Sequence, residues 1–281
     1  MKVVLFCGGR GLRLREHSEA IPKPMVQIGY RPILWHVMRY YAHYGHRDFI
    51  LCLGYRADAI KDYFLHYDEA ASNDFVLSEG GRRVELLGSD IADWRITFAD
   101  TGLDTTIGER LRRVRHLLEG EEMFLANYAD VLTDMPLDDM LARFSAQPDK
   151  VGALLAVPPQ SAFHCLDVGD DDTIHSISTL QQMPIWENGG YFVLRPEIFD
   201  YIPENGDLVS DGAMVLAKEG RMMAYPYRGF WQPADTVKER TALEAAYQGG
   251  TRPWMLWDPE RAERTPLQAT IAAMHNNQHE R

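Results

Sequence analysis

A glycine-rich turn followed by basic residues stands near the start of this 281-residue chain. An apolar run over residues 3–7 leads into the segment 8–14, Gly-Gly-Arg-Gly-Leu-Arg-Leu, and Lys23 follows between two prolines. The glycines leave backbone N–H groups open to a ligand, while Arg13 and Lys23 supply fixed positive charge. Open N–H groups and cations are what a triphosphate requires, above all when charge grows on a leaving pyrophosphate.

The turn departs from two common phosphate-binding loops. A P-loop ends in Gly-Lys-Ser/Thr, whereas this segment continues into Leu12 and Arg13. A dinucleotide-binding fingerprint needs a third glycine where Arg13 stands, which argues against a nicotinamide oxidoreductase. By itself a Gly-Gly-x-Gly turn is as often only a tight strand–loop connection. The prediction of phosphate binding therefore depends on the basic residues that accompany the glycines.

Two aspartates far apart in the sequence are candidate metal ligands. Asp130 comes just after the apolar run 123–127, and Asp235 follows Trp-Gln-Pro-Ala at 231–234. Phosphoryl transfer commonly uses Mg²⁺ held by one or two carboxylates together with phosphate oxygens. Asp130 could equally be a turn residue or a helix cap, because aspartate favours both. Residue types alone leave these interpretations open.

The elements that must position these residues alternate between strand and helix. The pattern predicts strands over 3–7, 48–53, 95–99, 123–127 and 151–157, and helices over 33–44, 56–66, 108–118 and 137–145. Such alternation favours an α/β fold with a Rossmann-like, doubly wound, mostly parallel sheet and right-handed crossovers. Ligands of such sheets lie beyond the carboxyl ends of the strands, where the glycine turn and Asp130 both fall.

The pattern changes after about residue 160, where shorter elements predict a small appendage. Strands are predicted over 164–168, 173–179, 190–195 and 222–226, and helices over 196–202, 210–218 and 236–247. We interpret residues 1–258 as a single domain with two parts, about 1–160 and 161–258. Residues 259–281 form a polar C-terminal tail.

Composition narrows the class of protein. The formal net charge of −12 argues against broad nucleic-acid binding. No apolar run is long enough to span a membrane, and no signal peptide is predicted. The three cysteines, Cys7, Cys52 and Cys165, fit a reducing compartment without a disulfide framework, so we expect a cytoplasmic protein.

The chain resembles the sugar-1-phosphate nucleotidyltransferases, and among them the cytidylyltransferases that act on glucose 1-phosphate. The likeness covers nearly the whole chain in the family's order, and it is carried by the segments 8–14, 22–25, 32–38, 48–55, 108–114, 188–194 and 230–236. The resemblance implies a fold of the nucleotide-diphospho-sugar transferase type, in which 1–160 binds the nucleotide and 161–258 includes a sugar-binding appendage. It also implies a Mg²⁺ cofactor, CTP or another nucleoside triphosphate and a sugar 1-phosphate as substrates, and a homo-oligomer.

The resemblance further assigns roles to individual residues. It implies that Asp130 and Asp235 hold the metal and that Arg13, Lys23 and Arg110 are the catalytic cations. It assigns the nucleotide to Phe6, Gly8, Gly9, Arg10, Gly11, Leu12, Arg13, Lys23, Gly54, Tyr55, Arg110 and Ala129. It assigns the sugar to Tyr128, Asn188, Gly189, Gly190 and Trp231. Asn-Gly also favours a plain turn before a strand, and Trp231 could belong to the core.

Several positions depart from the family's pattern. A family lysine that binds the phosphate of the sugar 1-phosphate is replaced by Met183, in the stretch Gln-Gln-Met-Pro at 181–184. Losing such a charge-assisted contact costs roughly 1.5–3 kcal/mol. Leu12 and Ala129 stand where the family has threonine and glycine. His164 could supply the lost cation, although a lone histidine is more often structural.

The sequence thus predicts an enzyme that transfers a nucleotidyl group, CMP from CTP, to a sugar 1-phosphate and releases pyrophosphate. Two alternatives stay open. One is the same chemistry with a different phosphorylated acceptor or nucleoside triphosphate. The other is a nucleotide-binding protein with weakened or lost catalysis.

Overall fold

The computed structural model describes residues 1–9, 21–160 and 163–258. Its strands are β1 (Lys2–Phe6), β2 (Gln27–Ile28), β3 (Arg31–Pro32), β4 (Asp48–Leu53), β5 (Phe75–Ser78), β6 (Arg83–Leu86), β7 (Arg95–Asp100), β8 (Phe124–Asn127), β9 (Val131–Thr133), β10 (Gly152–Val157), β11 (His164–Val168), β12 (Ile174–Thr179), β13 (Glu187–Leu194), β14 (Met222–Pro226) and β15 (Trp231–Pro233). Its α-helices are α1 (Ile33–His43), α2 (Ala57–Leu65), α3 (Ile107–Arg113), α4 (Leu137–Ser145), α5 (Met214–Lys218) and α6 (Val237–Gln248).

A seven-stranded sheet, counted over the described residues, forms the centre of the fold in the order β14-β10-β13-β8-β1-β4-β7. β1 pairs in parallel with β4 and β8, β4 with β7, and β10 with β14. β13 is antiparallel to both of its neighbours, β8 and β10. The prediction of a mostly parallel sheet is therefore confirmed.

The sheet is buried on both faces because helices cover each side. Along β1, Val3 and Leu5 enter the apolar cluster that includes α1 and α4, while Val4 and Phe6 enter the opposite cluster with α3 and α5. A strand that is buried on both faces has apolar side chains at successive positions, so its sequence is a continuous hydrophobic run. The doubly wound arrangement predicted from the sequence is confirmed.

Most predicted elements agree with the structure, and the differences have local causes. β4, α4, β11 and β14 have the predicted bounds. The helix predicted over 108–118 ends at Arg113, and a 3₁₀ turn, Arg115–Leu118, continues it. The helix predicted over 210–218 begins as the π-helical turn Leu208–Ala213, and the one predicted over 196–202 is a 3₁₀ helix, Pro196–Asp200.

Two further differences lie in the strands. β13 begins at Glu187 instead of residue 190, because Glu187 and Asn188 pair with the end of β10. The β5–β6 hairpin and the short strands β9 and β15 were not predicted. A strand of three residues is too short to show a hydrophobic period, so its sequence carries little signal.

The hairpin β11–β12 is a separate two-stranded sheet where the sequence predicted an appendage. Several of its apolar side chains are exposed, Ile177 by 62%. In the described part of the chain, no helix combines the length and apolar character needed to cross a bilayer.

Candidate active site

A cleft of about 830 Å³ opens at the carboxyl edge of the main sheet. β1 and β8 end at this edge, and the antiparallel β13 begins there. The turns that follow β1 and β8 therefore face the first residues of β13. The cleft brings together these residues singled out in the sequence: Phe6, Gly8, Gly9, Lys23, Arg110, Tyr128, Asp130, Asn188, Gly189, Trp231 and Asp235.

The Arg110 side chain holds the glycine turn in place. It is 3% exposed, and its guanidinium hydrogen-bonds five oxygens at 2.8–3.2 Å: the carbonyls of Gly8, Leu53, Gly102 and Leu103 and the Thr101 hydroxyl. Only a planar group with several fixed N–H donors can satisfy so many acceptors. Arg110 thus positions the turn after β1 against the end of β4, while its predicted contact with phosphate stays a prediction.

The short ladder β9–β15 brings the two distant aspartates together. Val131 pairs with Pro233, and the backbone N–H of Ala234 donates to the carbonyl of Asp130 at 3.0 Å. Asp130 immediately precedes one strand and Asp235 closely follows the other, so antiparallel pairing places both at the same end of the ladder. The two carboxylates project into the cleft from the same point.

Lys23 lies against both carboxylates. Its Nζ forms an ion pair with Oδ1 of Asp235 and lies 3.8 Å from Oδ2 of Asp130. Burial raises the pKa of Asp130, the neighbouring Asp235 raises it further, and the Lys23 ammonium opposes both effects. Two adjacent carboxylates in a sheltered cleft favour a cation between them. This donor set fits Mg²⁺, which takes one or two protein carboxylates and completes its shell with water and phosphate oxygens.

The start of α6 fixes the backbone of Asp235. The hydroxyl of Thr236 accepts from the N–H of Glu239 at 3.2 Å, and the Glu239 carboxylate accepts from the N–H groups of Asp235 and Thr236 at 2.9 Å. This reciprocal capping box satisfies N–H groups that the first turn of a helix leaves open. It therefore holds a predicted metal ligand at a helix end instead of on a loose loop.

The opposite wall of the cleft is hydrogen-bonded into a rigid unit. The side-chain amide of Asn188 donates to the Tyr128 hydroxyl at 2.9 Å, and its carbonyl oxygen accepts from the N–H of Gly190 at 2.9 Å. The indole N–H of Trp231 donates to the carbonyl of Gly189 at 2.8 Å. Trp231 is half-buried: it forms part of the cleft wall and also packs against the main apolar cluster.

Four of the predicted ligand residues in the described ranges stand behind the cleft. Gly54 packs backbone against backbone, since an added Cβ would lie 2.6 Å from the Gly102 carbonyl oxygen and 2.8 Å from that of Gly8. The N–H of Tyr55 donates to the same Gly8 carbonyl at 3.2 Å. Ala129 has a φ of 65° and Gly190 a φ of 76°, so both turn the chain at the edge of the site. A left-handed φ favours glycine, the residue that the family resemblance implies at position 129.

Other residues singled out in the sequence are either outside the described ranges or away from the cleft. Arg10, Gly11, Leu12 and Arg13 lie outside the described residues, as does the tail 259–281. His164 and Met183 are exposed at the hairpin and the turn beyond it, and neither lines the cleft.

Sequence reasoning missed some of the residues that line the cleft. These are Cys7, Pro24, Thr105, Ile107, Val131, Gln160, Glu187, Pro233 and Glu239. One of them had a usable signal, because Thr-x-x-Glu at 236–239 is the signature of a capping box. The others enter the cleft through the packing of distant segments, which leaves no local trace.

Comparison with known proteins shows the family to which the chain belongs. Residues 2–232 match the family of nucleotidyl transferases. The chain therefore belongs to the nucleotidyl transferase family.

More particularly, the chain is 35% identical to the glucose-1-phosphate cytidylyltransferase of Salmonella typhimurium, over 92% of this chain and 100% of that protein. It is also 35% identical to the probable glucose-1-phosphate cytidylyltransferase of Bacillus subtilis, with the same coverage. A solved structure of a UDP-glucose pyrophosphorylase complexed with UDP-glucose shares the fold at a TM-score of 0.64 and 18% identity, over 89% of this chain and 98% of that one. The resemblance to sugar-1-phosphate nucleotidyltransferases found in the sequence is confirmed.

Proposed function

We propose that this protein transfers CMP from CTP to glucose 1-phosphate or a related sugar 1-phosphate, forming a nucleotide sugar and releasing pyrophosphate. The observation that carries the proposal is the convergence of Lys23, Asp130 and Asp235 in the cleft that the glycine turn enters. The choice of CTP and of a sugar 1-phosphate is supported by the names of the two relatives that are 35% identical.

The two aspartates are the proposed ligands of Mg²⁺. Their carboxylates share one ammonium, and burial disfavours two negative charges side by side, so a divalent cation would stabilise the pair. When bound, Mg²⁺ neutralises negative charge on the phosphates and orients their oxygens. We propose that Lys23 then donates to a phosphate oxygen of the substrates.

The reaction itself needs little covalent participation from the protein. A phosphate oxygen of the acceptor forms a new P–O bond at the α-phosphorus of CTP, and the bond to the β-phosphate's bridging oxygen breaks as pyrophosphate leaves. No general base is required, because the attacking phosphate is already ionised at neutral pH. The protein holds two anions in line against their mutual repulsion, through the N–H groups of the glycine turn and the cations facing it.

The wall formed by Tyr128, Asn188 and Trp231 is the proposed sugar side. Two hydrogen bonds orient the Asn188 amide, so its remaining hydrogen-bonding groups face the cleft in a fixed direction. An amide held in this way can discriminate sugar hydroxyls, because an unmatched polar group in a closed site is costly.

Pyrophosphate release tests the proposal directly. CTP, UTP, dTTP, GTP and ATP would each be combined with Mg²⁺ and a panel of sugar 1-phosphates and other phosphorylated alcohols. We expect release with CTP and a sugar 1-phosphate. Pyrophosphate release only with another acceptor would favour the same chemistry with a different substrate. Met183, which stands where the resemblance implies a lysine, is consistent with such a change of acceptor. Tight CTP binding without release from any pair would favour a nucleotide-binding protein instead.

We also propose that the protein is a cytoplasmic homo-oligomer. Its three cysteines are free, which suits a reducing compartment. Apolar side chains of the β5–β6 and β11–β12 hairpins are exposed, and contiguous exposed apolar surface is typical of interfaces. Light scattering coupled to size exclusion would measure the mass, and a mass of 32.1 kDa would contradict the oligomer.

A further inference from the structure

The sugar side of the cleft lacks a basic side chain among the described residues. The cations that line the cleft in those ranges are Lys23 and Arg110. Lys23 is paired with the two aspartates, and Arg110 is bonded to five oxygens of the surrounding loops. A phosphorylated acceptor carries its own negative charge into this cleft, and a further cation near Asn188 would help to neutralise it. This inference rests on the proposed function.

Arg228 is an exposed cation that does not itself line the cleft. Ala156 of β10 pairs with Asn188 of β13 and with Pro226 of β14, so the loop that carries Arg228 leaves the sheet at the rim of the cleft, two strands away from Asn188.

The guanidinium carbon of Arg228 is 4.7 Å from the centre of the Trp186 ring. Trp186 directly precedes Glu187, which lines the cleft, and Arg228 stands three residues before Trp231, whose indole is bonded to Gly189. The pair is therefore attached on both sides to the wall that faces the proposed sugar.

The contact with the Trp186 ring leaves N–H groups of the guanidinium available to an anion. A guanidinium that lies over an aromatic ring uses its face for that contact, while its N–H groups point outward in the plane and match two phosphate oxygens. Arg228 is exposed and forms no ion pair with any residue that the structure describes.

The loop that carries Arg228 is anchored on both sides. The N–H of Tyr227 donates to the carbonyl of Ala156 at 2.8 Å, and the Tyr227 hydroxyl bonds the Asp134 carboxylate. The N–H of Phe230 donates to the same carboxylate at 2.9 Å. With the backbone fixed before and after it, Arg228 needs to order only its side chain, and Trp186 already restrains that side chain.

We propose that Arg228, held by Trp186, binds the phosphate of the acceptor substrate. Arginine at this rim makes the enzyme selective for acceptors that carry a phosphate, without contributing to the binding of CTP.

Arg228→Gln tests the proposal, with Arg82→Gln as a matched control because Arg82 is exposed in the β5–β6 hairpin, on an element that contributes no residue to the cleft. We expect the acceptor KM of Arg228→Gln to rise about ten- to a hundredfold, the loss of one charge-assisted hydrogen-bonding group. The Kd for CTP, measured by calorimetry, and the Tm should stay at wild-type values. Arg228→Lys should recover part of the loss, since lysine keeps the charge but not the fork. Trp186→Ala should raise the acceptor KM less, and Trp186→Phe should restore it.

The outcomes distinguish a failure of the role proposed for Arg228 from a failure of the proposed function. If the wild-type protein turns over a sugar 1-phosphate and Arg228→Gln has the same acceptor KM, the role of Arg228 is wrong and the proposed function stands. An equal weakening of CTP and acceptor would likewise overturn the assignment to the acceptor phosphate. If the wild-type protein binds CTP but turns over no phosphorylated acceptor, the proposed function fails and the role of Arg228 fails with it.

Discussion

At the residue scale, the Lys23 ammonium lies against two carboxylates that a divalent ion would also bind. The Nζ of Lys23 contacts Asp235 and lies 3.8 Å from Asp130. A cation bound between the carboxylates would compete with Lys23 for the same oxygens and leave the ammonium in need of another anion. A phosphate oxygen in the cleft would meet that need, and the proposed binding of metal and nucleotide would then be coupled at one point.

Asp235→Ala should reduce pyrophosphate release to near background while the protein stays folded. The change removes one of two proposed metal ligands, and a single remaining carboxylate holds Mg²⁺ weakly. Steady-state assays at saturating CTP and Mg²⁺ would measure the loss, and thermal unfolding would show that the fold is kept. Asp62→Ala, at a side chain 75% exposed, is the control and should be fully active. Near-normal activity of Asp235→Ala would refute the metal assignment.

Arg110→Lys should lower the free energy of unfolding by about 2 kcal/mol or more. Lysine cannot satisfy the five oxygens that surround the guanidinium, and a buried carbonyl left unpaired costs about 1–3 kcal/mol. Urea denaturation would measure the change. Arg113→Lys is the control, because the Arg113 side chain is 46% exposed and bonds one backbone carbonyl, that of Thr101. Unchanged stability together with weaker CTP binding would show that Arg110 serves the phosphate alone.

At the element scale, two short strands and a helix start set the geometry of the site. The β9–β15 ladder fixes where Asp130 lies relative to Asp235, and the capping box of α6 fixes the backbone of Asp235. These elements also pack into the core, through Val131 and Leu132 of β9 and Leu243 of α6. Their effect on the site comes from register, because sliding an antiparallel pair by one residue would turn a side chain to the other face.

Thr236→Ala should lower the free energy of unfolding by about 1 kcal/mol, the usual effect of losing an N-cap hydroxyl. It should also lower kcat: the backbone N–H of Glu239 loses the hydroxyl that accepts from it, so the Glu239 carboxylate that accepts from the N–H of Asp235 is held less firmly. Denaturant titration and steady-state kinetics would measure both. Thr236→Ser keeps the hydroxyl and should match the wild type. Loss of stability without any change in kcat would show that the cap does not position Asp235.

At the scale of the whole molecule, the fold buries a neutral histidine on the side of α1. Nε2 of His36 donates to the carbonyl of Ile28 at 2.9 Å, and Nδ1 accepts from the indole of Trp254 at 3.4 Å. A second proton would go on Nδ1 and face the Trp254 N–H. Burial lowers the pKa of His36 to about 4, and Arg252 and Arg31 add to the effect against two backbone hydrogen bonds that raise it.

The free energy of unfolding should therefore fall as the pH drops from about 6.5 toward 4. In that window the unfolded chain binds a proton at His36 and the folded chain does not, so acid favours unfolding; the expected loss is about 2 kcal/mol between pH 7 and pH 5. Denaturation at several pH values would measure the slope, and histidine NMR would show whether His36 stays neutral to about pH 4. His66→Gln, at a side chain 75% exposed, should keep the slope. A His36 resonance that titrates near pH 6.5 would contradict the prediction.

The sequence by itself determined the periodic elements and the chemical types at the site. The run 3–7 and the segment 48–53 are apolar throughout because a parallel strand is buried on both faces, and that pattern is local. The glycine turn and Lys23 were recognisable because phosphate chemistry needs those residue types, whereas the role predicted for the two aspartates came from the family resemblance.

Only the tertiary structure decided how these groups meet. It packed Gly54 against the backbone of Gly8 and Gly102, engaged Arg110 with backbone oxygens, and set the Arg228 guanidinium against the Trp186 ring. These contacts join segments far apart in the chain, and their energies depend on distance, burial and register. A one-dimensional pattern encodes which groups are present, whereas packing decides which of them face the same space.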